Sequence, residues 1–107
     1  TSTDTICSVS LNLAAGVELT VDGFFRFSSL GGPCPYTLVI TDGSSSSTLY
    51  SSTVSSNDAA GSYKMASFAG AAPITGAVTI SMQISGVFSF SSINWDSANL
   101  TLTVIKK

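Results

Sequence analysis

Apolar residues and hydroxyl-bearing residues alternate along most of this chain, so that every second side chain is hydrophobic. A period of two is typical of a β-strand that has one face in the core and the other in solvent. Glycine, serine and threonine interrupt every stretch that could carry the 3.6-residue period of a helix. The alternation is clearest in residues 7–13, 17–21, 78–84 and 100–104. The pattern therefore predicts an all-β protein.

Gly23 raises the question of where the second of these strands ends. Asp22 and Gly23 have the composition of a two-residue hairpin turn. A hairpin there would place Arg26 on the apolar face beside Leu19, because a change of register by one residue turns every side chain to the other face. If the strand continues through Gly23, one face stays apolar: Val17, Leu19, Val21, Phe25 and Phe27. We therefore expect a long strand that is bent or bulged at Gly23, or an odd-length loop there, with a tight two-residue hairpin as the second choice.

Around Gly86 the apolar residues likewise stay on one face, because they all have even numbers. The strand of residues 78–84 is therefore expected to continue to Phe88 and Phe90. Further strands are predicted near residues 36–41, 48–54 and 62–68, with turns at residues 42–43, 57–58 and 69–73. Seven or eight strands in 107 residues predict a single domain over residues 1–107. The expected fold is an antiparallel β-sandwich of the jelly-roll type.

Charge is scarce in this chain, which has four basic residues, six acidic residues and no histidine. Four basic residues neutralise too few phosphates for nucleic-acid binding, and too few anionic lipids for polybasic attachment to a membrane. The mean hydropathy is high, at +0.43. No run approaches the roughly 18 apolar residues of a membrane-spanning helix. We expect no nucleic-acid partner and no membrane insertion.

The two cysteines, Cys7 and Cys34, lack the spacing of a zinc or thioredoxin-type motif. Cys34 lies in a loop-like segment rich in glycine and proline, where a disulfide would stabilise the chain, and we therefore expect a Cys7–Cys34 disulfide. The alternative is a pair of buried, reduced thiols. A disulfide would imply an oxidising, extracellular setting. The chain begins at Thr1 without a signal-peptide pattern, as expected of a processed mature protein or of a fragment of a longer one.

Few side chains of this chain are of the types that carry out catalysis. A serine nucleophile needs an adjacent base, and without histidine only Lys64, Lys106 and Lys107 could serve. The acidic residues are scattered, and several lie in turn-like contexts where aspartate is common for backbone reasons. A calcium site could be assembled from four side chains, although their spacing matches no EF-hand: Asn57, Asp58, Asn94 and Asp96. We expect no enzyme, no cofactor and no metal site.

Trp95, the single tryptophan, lies between Asn94 and Asp96 in a segment expected to be a loop before the last strand. An indole ring flanked by an amide and a carboxylate is a plausible platform for a sugar, because the ring covers the pyranose face and the polar groups bind its hydroxyls. The alternative is a tryptophan of the core or of an interface. Strand parity also places Phe24 and Tyr50 on outward faces, where they could contact a ligand or a neighbouring chain.

The strands lack the charged residues that usually protect the edges of a β-sheet. Free edges commonly carry lysine or proline, which discourage pairing with another chain. Strands that present serine, threonine and apolar residues instead either aggregate or are covered by partners. The composition therefore predicts a homo-oligomer.

The ending of the chain, Trp95-Asp96-Ser97-Ala98-Asn99-Leu100-Thr101-Leu102-Thr103-Val104-Ile105-Lys106-Lys107, resembles the last strand of TNF/C1q-like jelly rolls and the tips of phage tail and head fibres. The preceding segments 24–27, 36–43 and 76–85 are in an order compatible with the same resemblance. The resemblance implies a trimer on a virion surface or in an extracellular setting, with a host-surface glycan or protein as a further partner. It defines no binding residues.

The sequence thus predicts a non-enzymatic virion-surface or fibre module that self-assembles and binds a host cell-surface receptor. One alternative is a subunit of an extracellular filament or pilus assembled by β-strand complementation, with residues 7–13 as the donor strand. Another is a monomeric carbohydrate-binding module that uses Trp95.

Overall fold

The computed structural model describes residues 2–30, 33–55, 57–86 and 93–105, and these form seven antiparallel strands with no helix. The strands are β1 (Ser2–Leu13), β2 (Glu18–Leu30), β3 (Cys34–Thr41), β4 (Ser46–Val54), β5 (Tyr63–Ala71), β6 (Gly76–Gly86) and β7 (Ile93–Ile105). The prediction of an all-β chain is confirmed.

The strands form two sheets, one in the order β1-β6-β3-β4 and the other in the order β5-β2-β7. Three of the antiparallel pairs are nested in the sequence: β3 with β4, β2 with β5, and β1 with β6. The chain crosses between the sheets at every connection except the one from β3 to β4. On one side of the sandwich β1 lies beside β7, and on the opposite side β4 lies beside β5.

The core lies between the sheets and consists of the apolar residues that the period of two places on one face. Its largest fully buried side chains come from β2, β3 and β6 and include Phe25, Phe27, Tyr36, Leu38, Ile80 and Met82. The Phe25 and Tyr36 rings meet edge to face with centroids 5.1 Å apart. The Tyr36 hydroxyl donates a hydrogen bond of 2.8 Å to the Met65 carbonyl of the other sheet. Each such ring contributes about 2–3 kcal/mol by burial, and the hydroxyl fixes how the sheets are placed.

Strand β2 runs through Gly23, and its register with β5 and β7 is uninterrupted there. Continuation of the strand is confirmed, whereas a bulge at Gly23 is wrong. The reason for glycine is the close approach of neighbouring side chains, because a Cβ atom would lie 2.6 Å from Met82 Cε and 2.7 Å from Leu100 Cδ2. The parallel prediction for Phe88 and Phe90 lies outside the described residues.

The turn predicted at residues 42–43 joins β3 to β4. Asp42 Oδ1 accepts hydrogen bonds from the backbone amides of Ser44 (3.0 Å) and Ser45 (2.8 Å), and Gly43 has a φ of 95°. These bonds lower the pKa of Asp42. The turn predicted at residues 69–73 is misplaced, because Ala69 and Ala71 pair with β2 and the connection to β6 begins only at Ala72.

The predicted Cys7–Cys34 disulfide is wrong, because each residue is a thiol. Cys7 of β1 pairs with Met82 of β6, and Met82 pairs with Leu38 of β3. Cys7 is therefore in register with Leu38, two strand spacings away. Cys34 lies four residues further along β3. At about 4.8 Å between strands and 3.4 Å per residue, the two Cα atoms are roughly 16 Å apart. A disulfide requires less than about 7 Å. Burial raises the pKa of both thiols.

Candidate functional site

The segment predicted as a sugar platform belongs to a strand rather than a loop. Trp95 pairs with Phe27 and Asn94 with Ser29 at the end of β2, while Asp96 occupies the extra position of a bulge. Pairing with β2 therefore overrides the loop-like composition. The side chains of residues 94–96 lie outside the described part of the chain, and their role in binding stays a prediction.

Three of the described charged side chains, Asp42, Asp58 and Lys64, are engaged in local bonds. Asp58, in the β4–β5 connection, accepts a hydrogen bond of 2.8 Å from the Ser55 amide and pairs with Lys64 Nζ at 3.3 Å. The Ser55 amide first, and then Lys64, hold the pKa of Asp58 below its usual range. Within the described ranges, no three histidine, cysteine or acidic residues lie close enough together to hold a metal ion. Lys106 and Lys107 lie outside those ranges.

One feature of the described structure that is open to a partner is the outer edge of β7. From Ser97 to Ile105, β7 pairs with β2 without a register shift, and none of the described strands pairs with its other side. This segment contains no charged residue and no proline. At about 3.4 Å per residue, it presents alternate backbone amides and carbonyls over about 27 Å. We call residues 97–105 the β7 edge.

The inward side chains of the β7 edge are incompletely covered. Leu100 and Leu102 are half-buried, and Val104 is 43% exposed, whereas Leu19 and Val21 of the neighbouring β2 are fully buried. Strand β1, on the same side of the sandwich, also has inward residues that are only half-buried: Ile6, Cys7, Val9 and Leu11. Among the described residues, the inward side chains of the β1 and β7 edges are therefore only partly covered, as are Leu49, Tyr50 and Phe68 at the β4 and β5 edges.

The other three edge strands carry features that discourage pairing. Strand β5 presents Lys64 on its inward face, opposite Phe25 and paired with Asp58. Strand β4 is bulged at Leu49, and β1 is bulged at Ile6. Bulges and inward charges are common protections of free sheet edges. Within the described part of β7, the nine-residue β7 edge has neither.

A small apolar patch lies on the outer face of the three-stranded sheet. Phe24 and Tyr63 meet edge to face at 5.6 Å, and Tyr63 and Met65 of β5 are 57% and 64% exposed. The outward orientation predicted for Phe24 is confirmed. That predicted for Tyr50 is wrong, because the bulge at Leu49 turns Tyr50 towards the Tyr36 ring, 6.3 Å away. Sequence reasoning missed Tyr63 and Met65, although their alternation with Lys64 and Ala66 is visible.

A shallow groove of about 530 Å³ lies at one end of the four-stranded sheet and is lined by β1, β6 and the β3–β4 turn. Two of its lining residues are bonded to each other, with 3.0 Å between Ser10 Oγ and Thr79 Oγ1. Asn12 and Asp42 also line the groove, and Asp42 is already bonded within its own turn. The groove offers hydroxyls and one amide to a polar ligand.

Comparison of this chain with protein families, curated proteins and solved structures finds no match. Among the described residues, no helix is long and apolar enough to cross a membrane.

Proposed function

We propose that this chain is a non-enzymatic structural module whose copies associate through the β7 edge, as a building block of a virion surface or fibre. The observation that carries the proposal is the β7 edge itself: a regular, uncharged strand edge with half-exposed apolar side chains beneath it.

On the outer side of the β7 edge, no described strand pairs with the backbone amides and carbonyls. An edge strand gains main-chain hydrogen bonds from an added strand, and alternate apolar side chains then become buried. Leu100, Leu102 and Val104 supply those side chains. Two of the described carboxylates, Asp42 and Asp58, support a structural role, because each accepts hydrogen bonds from the backbone of the turn in which it lies.

The resemblance to fibre tips adds the expectation of a closed trimer outside the cell, with a host-surface glycan or protein as a second partner. The filament alternative used residues 7–13 as a donor strand. In the structure these residues pair with β6 of their own chain, so donation would first have to break that pairing. The carbohydrate-binding alternative would use Trp95 or the shallow groove.

Thr101→Lys tests the proposal, because it places a charge in the middle of the β7 edge at an exposed position. We expect the wild-type chain to have a mass above the monomer's 10.9 kDa in light scattering at high concentration, and the variant to be monomeric. The matched control is Thr48→Lys on β4, an exposed edge position of the other sheet, which should leave the mass unchanged.

Two results would contradict this proposal. One is a wild-type chain that stays monomeric at every concentration. The other is a Thr101→Lys variant whose mass equals that of the wild type.

A further inference from the structure

We infer that the outer face of the three-stranded sheet binds a neutral sugar, with the exposed ring of Tyr63 as the surface on which the sugar stacks. The site consists of Phe24, Tyr63, Met65 and Asn99, which we call the Tyr63 platform. The inference rests on the proposed function only in that it gives the glycan partner named there a location. It does not need association through the β7 edge.

The register of three strands brings the Tyr63 platform together on one face. Phe24 of β2 lies directly between Met65 of β5 and Asn99 of β7. Tyr63 comes two residues before Met65 and therefore turns to the same face. Its ring meets that of Phe24 edge to face, with centroids 5.6 Å apart and 66° between the ring planes. This contact supports the Tyr63 ring while more than half of the residue stays in solvent.

The exposed apolar area is small for a protein partner and suits a single sugar ring. Tyr63 and Met65 are mostly exposed, and Phe24 is half-buried. Together the three side chains expose on the order of 300 Å². A stable protein interface takes about 800 Å² from each partner. A pyranose, whose C–H groups make one face of its ring apolar, covers about one aromatic ring.

Polar side chains border the Tyr63 platform where the hydroxyls of a stacked pyranose would lie. Asn99 Nδ2 donates a hydrogen bond of 3.2 Å to Thr101 Oγ1, and the amide has a second hydrogen and a carbonyl oxygen to offer. Asp22 is exposed two residues before Phe24 on the same face. Directly opposed side chains lie about 5 Å apart across a strand pair, and same-face neighbours roughly 7 Å apart along a strand. An amide and a carboxylate are therefore within reach of a ring bound at Phe24 and Tyr63.

Charge on the outer face favours a neutral sugar over an acidic one. The outward side chains of β2 include two carboxylates, Glu18 and Asp22, and one guanidinium, Arg26. The outward positions of β5, and those of β7 from Ser97 to Ile105, carry no charge. The Arg26 guanidinium lies against Gly61 of the β4–β5 connection. The face is therefore net negative and disfavours the carboxylate of a sialic acid.

Association through the β7 edge leaves the Tyr63 platform accessible, because edge pairing adds a strand beside β7 and covers neither face of the sheet. A pyranoside of about a dozen heavy atoms binds such a site with a Kd on the order of 1 mM. An assembly presents several platforms at once, which raises the apparent affinity for a glycan-coated surface by about 10²–10⁴. A weak site on each copy is thus sufficient for attachment.

An NMR titration of the wild-type chain tests the site without any substitution. The probes are methyl β-D-galactopyranoside, methyl β-D-glucopyranoside and lactose. Sorbitol, an open-chain polyol without an apolar ring face, is the control. We expect the Met65 methyl signal and the Phe24 and Tyr63 ring signals to shift with a Kd on the order of 1 mM for at least one probe, and not with sorbitol. The absence of shifts with all three probes, or equal shifts with sorbitol, would overturn the inference.

Substitutions of Tyr63 separate ring stacking from general hydrophobicity. Tyr63→Phe keeps the ring and should bind within about threefold of the wild type. Tyr63→Leu keeps an apolar side chain without a flat ring and should bind at least about tenfold more weakly. The matched control, Asn12→Ala in the shallow groove, should leave the Kd unchanged. Wild-type affinity in Tyr63→Leu, or loss of binding in Asn12→Ala, would overturn the location of the site.

Two further results have separate consequences. Tighter binding of 3′-sialyllactose than of lactose would overturn the assignment of a neutral sugar. A chain that binds a pyranoside while it stays monomeric in light scattering would overturn association through the β7 edge and leave the sugar site standing. A chain that associates, but whose Tyr63 platform signals do not shift, would overturn the sugar site and leave association standing.

Discussion

At Gly23, side chains from both sheets come close to the backbone of β2. Gly23 lies in the centre of β2, where Met82 arrives from the opposite sheet and Leu100 from the neighbouring strand. Its φ is not positive, so what favours glycine is space rather than backbone conformation. A side chain at this position competes with two well-placed apolar groups.

Gly23→Ala is expected to destabilise the fold by about 1 kcal/mol. Overpacking costs about 1–3 kcal/mol. Alanine loses less backbone entropy than glycine on folding, which offsets about 0.5–1 kcal/mol of that cost. Urea unfolding at neutral pH measures the change. Because Met82 Cε is the closest atom, the loss should be smaller by at least about 0.5 kcal/mol when alanine is introduced into a Met82→Val background. Equal losses in both backgrounds would contradict this explanation.

At the scale of the elements, hydrophobic alternation predicted strands well where both neighbours were regular. In β2 the apolar parity extends through Gly23, and the structure follows it. In β4 the alternation did not predict which side chains point inward. Leu49 and Tyr50 are both apolar, and nothing in the sequence marks which of them is the bulge. The segment around Trp95 was expected to be a loop, and its pairing with β2 is a tertiary effect that local composition does not contain.

The connection between β4 and β5 makes the stability of the fold depend on pH. The pKa of Asp58 is lowered by the Ser55 amide and by Lys64, so its ionised form is favoured in the folded state. A lowered pKa contributes stability above the unfolded value of about 3.9, and this is lost as the pH falls through the folded value. We expect Tm to change little from pH 7 to about 5 and to fall below about pH 4.

Asp58→Asn should lower Tm at pH 7 and reduce its fall in acid, as followed by circular dichroism. Asp22→Asn, an exposed change on the outer face of β2, controls for the loss of one negative charge. An unchanged acid dependence in Asp58→Asn would show that the Asp58 contacts do not contribute to stability.

At the scale of the whole molecule, the sandwich is asymmetric. A bulge protects the edges of β4 and β1, and an inward lysine protects that of β5, whereas the β7 edge has neither. Sequence reasoning predicted unprotected edges from composition but not which edge was open, because that depends on the order of the strands. The disulfide prediction was wrong for the same reason, because β6 lies between the strands that carry Cys7 and Cys34.

The most direct test of association through β7 is amide hydrogen exchange at residues 97–105, measured by NMR at about 10 µM and about 1 mM protein. In an isolated chain, the amides that point away from β2 have no strand partner and should exchange rapidly, while those that bond to β2 are protected. We predict that the rapidly exchanging amides of the β7 edge slow at least about tenfold at the higher concentration, while those of β4 do not change. Exchange at residues 97–105 that is independent of concentration, or new protection confined to β4 and β5, would contradict the account.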